Sequence, residues 1–154
     1  MAKARVFHLN KGLVSLGLFL AMCWMSTQVY ADIAPVKIDN ARLRLLAGGL
    51  PLAGYFTLTN TGDRDVRLVG AYGPAFRRIM LHQSKSVNGM EKMVMVKAIT
   101  VKPGEKVVFA PGGYHLMMWR LEPLKVDQTT PVTLKFADGK TKTAAFRIGG
   151  PATE

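Results

Sequence analysis

Short runs of alternating apolar and polar residues fill the chain beyond its first thirty or so positions, and no long segment repeats at the three-and-four spacing of an amphipathic helix. From 36 to 46 the run alternates around Ile38, Ala41, Leu43 and Leu45, and Gly48-Gly49-Leu50-Pro51 ends it. Aromatic and β-branched residues alternate from 53 to 60, before Thr61-Gly62-Asp63. Further runs cover 65–72, 76–83, 90–98, 106–110, 114–121, 130–137 and 141–148. Gly/Pro or Asp-Gly signals separate most of them, and Asn88-Gly89 is a strong hairpin pair between 76–83 and 90–98. The pattern predicts eight or nine short strands in one domain, an all-β Greek-key sandwich or barrel. One short helical turn within 39–50 is the alternative to an unbroken strand there.

The first 31 residues differ in kind. Lys3, Arg5 and Lys11 precede an apolar stretch over 12–25, and a polar segment then ends in Val29-Tyr30-Ala31. That is the layout of a secretory signal, with cleavage expected after Ala31 and a mature domain over 32–154. The apolar stretch is too short for a stable membrane span, so the mature form is expected not to span a membrane. Cys23 is preceded by Met22 where a lipoprotein signal wants a small residue, which argues against lipidation. Cys23 is also the only cysteine. Residues 32–154 therefore offer no thiolate for a blue-copper electron-transfer site, a zinc finger or an iron–sulfur cluster.

Charge adds less. The formal net charge is +11, and removal of the three leader cations leaves +8. A nucleic-acid binder is basic too, but export removes that partner and the cations are spread along strands instead of clustered. Solvated faces account for most of them, and a docking surface for an acidic protein partner or an anionic membrane accounts for the rest.

Chemistry enters through two residue types. Beyond residue 31, both histidines (His82, His115) and all six methionines (Met80, Met90, Met93, Met95, Met117, Met118) fall within 80–118. Methionine as a filler of irregular core gaps would be scattered. His115 and Met117 project to one face of a strand, and the Asn88-Gly89 hairpin folds Met93 back towards His82. Two imidazoles and two thioethers then meet as a neutral, soft ligand set. Thioether favours copper(I) over zinc, carries no proton to lose and forms no disulfide in an oxidising space. Met95 shares a strand face with Met93, Met80 shares one with His82, and Met118 lies opposite Met117. For any single methionine core packing is the better reading, and for any single histidine a structural role; the joint spacing reverses both.

The spacing H-x10-M-x21-H-x-M, formed by His82, Met93, His115 and Met117, resembles the motif of the periplasmic PCuAC copper chaperone family. The surrounding residues agree: Tyr55 to Gly62, the turn Val101-Lys102-Pro103-Gly104-Glu105, and Pro111-Gly112-Gly113-Tyr114-His115-Leu116-Met117. The likeness covers about 34–148. It implies a cupredoxin-like β-sandwich that binds one Cu(I) at an exposed end through His82, Met93, His115 and Met117. It also implies delivery of copper to the binuclear copper centre of cytochrome c oxidase, alongside thioredoxin-like copper chaperones. Two positions depart from the family pattern. Ser84 stands where many members have Met, which favours Met93 as fourth ligand, and Trp119-Arg120 follows Met118. Trp119 is expected to pack on a neighbouring strand, the alternative being that its ring shields the metal. No His/Met-rich tail follows residue 148, so a copper(II) site there is not expected.

Three rivals remain at the level of sequence. An exported interaction module would use the methionines as core. A copper-resistance or storage protein would use the same ligands. An enzyme finds little support, because no carboxylate lies near either histidine in sequence and no nucleophile–base set stands out.

Overall fold

A computed structural model of the chain describes residues 34–46, 48–87 and 89–150. The expected leader, its cleavage point, Cys23 and Asn88 of the hairpin pair lie outside the described residues. Within them the protein is all-β, and no helix forms over 39–46. Ten strands run in order: β1 (Val36–Arg44), β2 (Leu52–Asn60), β3 (Val66–Tyr72), β4 (Phe76–Val87), β5 (Met90–Met95), β6 (Ile99–Val101), β7 (Lys106–Phe109), β8 (Tyr114–Arg120), β9 (Thr129–Phe136) and β10 (Thr141–Gly149).

The strands form one hydrogen-bonded ladder in the order β5-β4-β8-β7-β2-β1-β10-β9-β3-β6, with β2 also pairing β8. Most pairings are antiparallel; β1–β10 and the single β7–β8 bridge are parallel. β3 packs near β4, so the two ends of the ladder come together and enclose a core. This is the expected sandwich.

Alternation decides which residues line that core. On β8, Leu116 and Met118 are fully buried, and they pair with Leu81 and Ile79 of β4. Phe56 on β2 stacks on its register partner Phe109 on β7 at 4.1 Å between ring centroids, and Phe146 on β10 meets Phe56 edge-on at 5.7 Å. Gly54 on β2 is a close approach. A Cβ there would lie 3.0 Å from Met118 Sδ and 3.1 Å from Leu116 Cβ, so the site's strand β8 sits directly against the β2 backbone.

Two boundaries differ from the pattern-based expectation. β4 runs four residues past Gln83 because Ser84–Val87 pair with Met90–Met93 of β5, although the composition reads as a loop. β6 forms where only a turn was expected; Ile99 and Val101 are buried on either side of exposed Thr100. The helical turn weighed as the alternative within 39–50 does not form among the described residues; a bulge between Asp39 and Arg42, with Asn40 at φ 53°, interrupts the strand there instead.

Candidate metal centre

β4, β5 and β8 lie side by side, and their registers bring the methionine and histidine side chains onto one face. His82 on β4 pairs with His115 on β8, and Met80 pairs with Met117. Across the other edge of β4, Met93 pairs with Ser84 and Met95 with His82. Directly opposed residues share a face, and so do residues two apart on one strand. The core face of the same strands takes Leu81, Leu116 and Met118. His82, Met93, His115 and Met117 therefore all project from the outer face, together with Met80 and Met95. Met90 pairs with Val87 on the opposite side of the β4–β5 ribbon and does not join them. Met118, next to Met117 in sequence, is fully buried in the core.

The two imidazole rings lie 5.9 Å apart between centroids. His115 is 8% exposed, and its Nδ1–H donates to the carbonyl of Gly113 at 3.2 Å. That bond fixes the tautomer and leaves Nε2 with a free lone pair. Nδ1 of His82 is buried without a hydrogen-bond partner among the described residues. Such an atom is costly unless something binds it, and a metal ion is one way to satisfy it. Burial above all, then the neighbouring His115 and Arg78, hold the His82 imidazole below its ordinary pKa, in the neutral form a metal requires.

A cleft of about 290 Å³ opens beside the rings, lined by Met93, His115, Met117, Ser84, Tyr55 and residues of the β1–β2 loop such as Leu46 and Leu50. His82 stands at its margin and does not line it. Met93 is 67% exposed, whereas Met117 is half-buried. No group of three or more His, Cys, Asp and Glu side chains comes together among the described residues. What converges is imidazole and thioether, a neutral set suited to a soft monovalent ion.

Sequence reasoning missed Tyr55, the β1–β2 loop and the Gly113 carbonyl as parts of the site. The sequence marked the loop itself, by Gly48-Gly49-Leu50-Pro51, but not that Leu46 and Leu50 would line the cleft. Trp119 sits on the same face as Met117, and the Arg78 guanidinium covers its ring at 3.9 Å from the centroid. Its partner is thus a residue of the neighbouring strand β4, in line with the packing expectation.

A family model described as "Putative lipoprotein LpqE-like" matches residues 36–148. "Putative lipoprotein Lxx21020" of Leifsonia xyli subsp. xyli is 33% identical over 115 residues, spanning 73% of this chain and 69% of that protein. Among solved structures, the copper-bound PCuAC domain from PmoF2 matches with a TM-score of 0.63 at 25% identity, over 78% of this chain and 97% of that one. CuI-DR1885 from Deinococcus radiodurans matches with a TM-score of 0.62 at 32% identity, over 80% of this chain and 85% of that one.

Proposed function

We propose that this chain, which belongs to the LpqE-like family and has a PCuAC-type cupredoxin-like fold, is an exported carrier of copper(I). His82, Met93, His115 and Met117 hold one ion, and an acceptor protein takes it away. The observation that carries this reading is the shared outer face of β4, β5 and β8. There two imidazoles in register, one with its tautomer fixed by Gly113, stand beside two thioethers. The copper-bound state of the two structural neighbours supports the choice of ion.

The chemistry suits carriage more than catalysis or permanent storage. Copper(I) accepts tetrahedral N2S2 ligation without ligand-field cost, and thioethers release it more readily than thiolates. No proton leaves a thioether on binding, so only the imidazoles make retention pH-dependent. The acceptor we favour is the copper subunit of cytochrome c oxidase or a thioredoxin-like copper chaperone serving it. Lys85 and Lys92 face each other on the back of the β4–β5 ribbon, an unfavourable pair that an acidic partner would relieve.

Export rests on the leader at 1–31 and on a relative named as a lipoprotein. That name favours a second reading of the N-terminus, acylation at Cys23 in place of cleavage after Ala31. The mass of the exported protein separates the two.

The test is a copper(I) titration against a chromophoric competitor, for the native protein and the variants His82→Ala, Met93→Ala, His115→Ala and Met117→Ala. One equivalent, weakened by each substitution, is expected. Binding indifferent to all four would leave the face to packing and favour an interaction module.

A further inference from the structure

The outer face carries more thioethers than one four-coordinate ion can use. Met95 lies directly across from His82 on β5, and Met80 lies two residues before His82 on β4. Directly opposed Cβ atoms sit about 5 Å apart, and same-face neighbours along a strand about 7 Å apart. Both side chains thus start within reach of the His82 ring and of each other. They also line a cleft of their own, of about 250 Å³, with Val69, Val96 and Lys97. This cleft shares no lining residue with the one that holds Met93, His115 and Met117. His82 stands between the two.

Packing does not account for Met95. It is 57% exposed on an edge strand whose six residues are all exposed. A methionine kept in solvent forgoes about 1.5–3 kcal/mol that burial would supply. Leucine or lysine would serve a solvated edge equally well.

We propose that Met80 and Met95 form a second, weaker position for a soft monovalent cation, adjoining His82 and reached from edge strand β5. Two thioethers provide soft ligation with no charge to offset the ion, and the ammonium of Lys97 in the same cleft opposes a cation. Both features make this position weaker than one built on two imidazoles. An ion held here enters the four-ligand site by exchanging Met80 and Met95 for Met93 and Met117 and gaining the imidazoles of His82 and His115, so the position serves loading and release. That role rests on the carrier reading above; the binding itself does not.

The probe is silver(I), redox-inert and soft, added to protein labelled with 13C at the methionine methyl groups, with signals assigned by single Met→Leu variants. Met93 and Met117 are expected to shift in the first equivalent. Met80 and Met95 are expected to shift together in a second phase, at least tenfold weaker. Met90 and Met118 stay in place throughout. The double variant Met80→Leu/Met95→Leu should lose the second phase and keep the first. Met80 and Met95 unmoved through three equivalents would overturn the proposal, as would their shifting in step with Met93 and Met117 wholly within the first. Silence at Met93 and Met117 with a response at Met80 and Met95 would defeat the carrier reading and uphold this one.

Discussion

Met117 and Met118 are neighbours in sequence with opposite surroundings, and the same substitution at each should have separable effects. Met118 is fully buried against Leu116, Gly54 and the sandwich core, while Met117 is half-buried in the cleft beside His115. Met118→Ala removes a buried side chain from a close-packed interior, which costs about 2–5 kcal/mol. For a domain of this size that is roughly 8–20 °C in Tm. Met118→Leu nearly conserves volume and should cost less than about 1.5 kcal/mol. Neither change removes a ligand. Met117→Leu keeps the apolar bulk and removes one thioether from the metal site. Loss of a group that merely orients a ligand weakens metal binding about 10–100-fold, so loss of a ligand should weaken copper(I) by at least tenfold, or about 1.4 kcal/mol. Urea denaturation of the metal-free proteins reads the first quantity, and competitive copper(I) titration reads the second. Met118→Leu weakening copper(I) as much as Met117→Leu, or Met117→Leu leaving the Kd unchanged, would refute the assignment of faces.

Other substitutions probe the scaffold and the site separately. Asn60 is fully buried; its Nδ2 donates to the carbonyls of Arg64 and Val101 at 2.7 and 2.9 Å, and its Oδ1 accepts from Gly62 N–H. Asn60→Ala should lower unfolding free energy by about 2–4 kcal/mol, yet leave the copper(I) Kd of the folded protein unchanged. Gly54→Ala places a Cβ 3.0 Å from Met118 Sδ and 3.1 Å from Leu116 Cβ, so these two side chains of β8 must give by a few tenths of an ångström; about 1–3 kcal/mol of stability should go, and copper(I) binding should weaken with it. The His82 ring resists protonation in the folded protein, so the unfolded chain binds more protons just below the ordinary imidazole pKa of about 6.5. Stability of the metal-free protein should therefore fall as pH drops through that value, and His82→Leu should flatten that dependence; equal unfolding free energies from urea titrations at pH 7.5 and 5.5 would refute this.

How much could be read in advance depended on what held each strand. β8, β9 and β10 have one buried face, so alternation marked them to within a residue or so of their ends. The tail of β4 and the whole of β5 have no contact with the core. Their hydrophobic pattern carries no burial signal, and only the turn residues indicated pairing there. β6 is three residues long, too short for a pattern to stand out from the turn beside it. The pairing of His115 with Met117 follows from strand period alone. The pairing of His82 with His115 does not: it is a register between strands far apart in sequence, set by how Leu81, Leu116 and Met118 interlock beneath them. Gly113's bond to His115 was hidden for a related reason, because it depends on the path of the loop before β8.

The same difference in anchoring bears on how a carrier would let go. His82, His115 and Met117 stand on strands whose other faces are locked into the core, so their positions are set before any ion arrives. Met93 stands on β5, bonded to the sheet along one edge only and exposed along its length. Moving it disturbs few buried contacts, and strands of that kind open at a small fraction of the global unfolding free energy. Under the proposed ligand set, an incoming thiolate or thioether of an acceptor would replace Met93 first, while the two imidazoles and Met117 still held the ion. A site with four equally anchored ligands would have to release the ion in one costly step. Three fixed ligands and one movable one let the coordination number stay nearly constant as copper(I) changes hands.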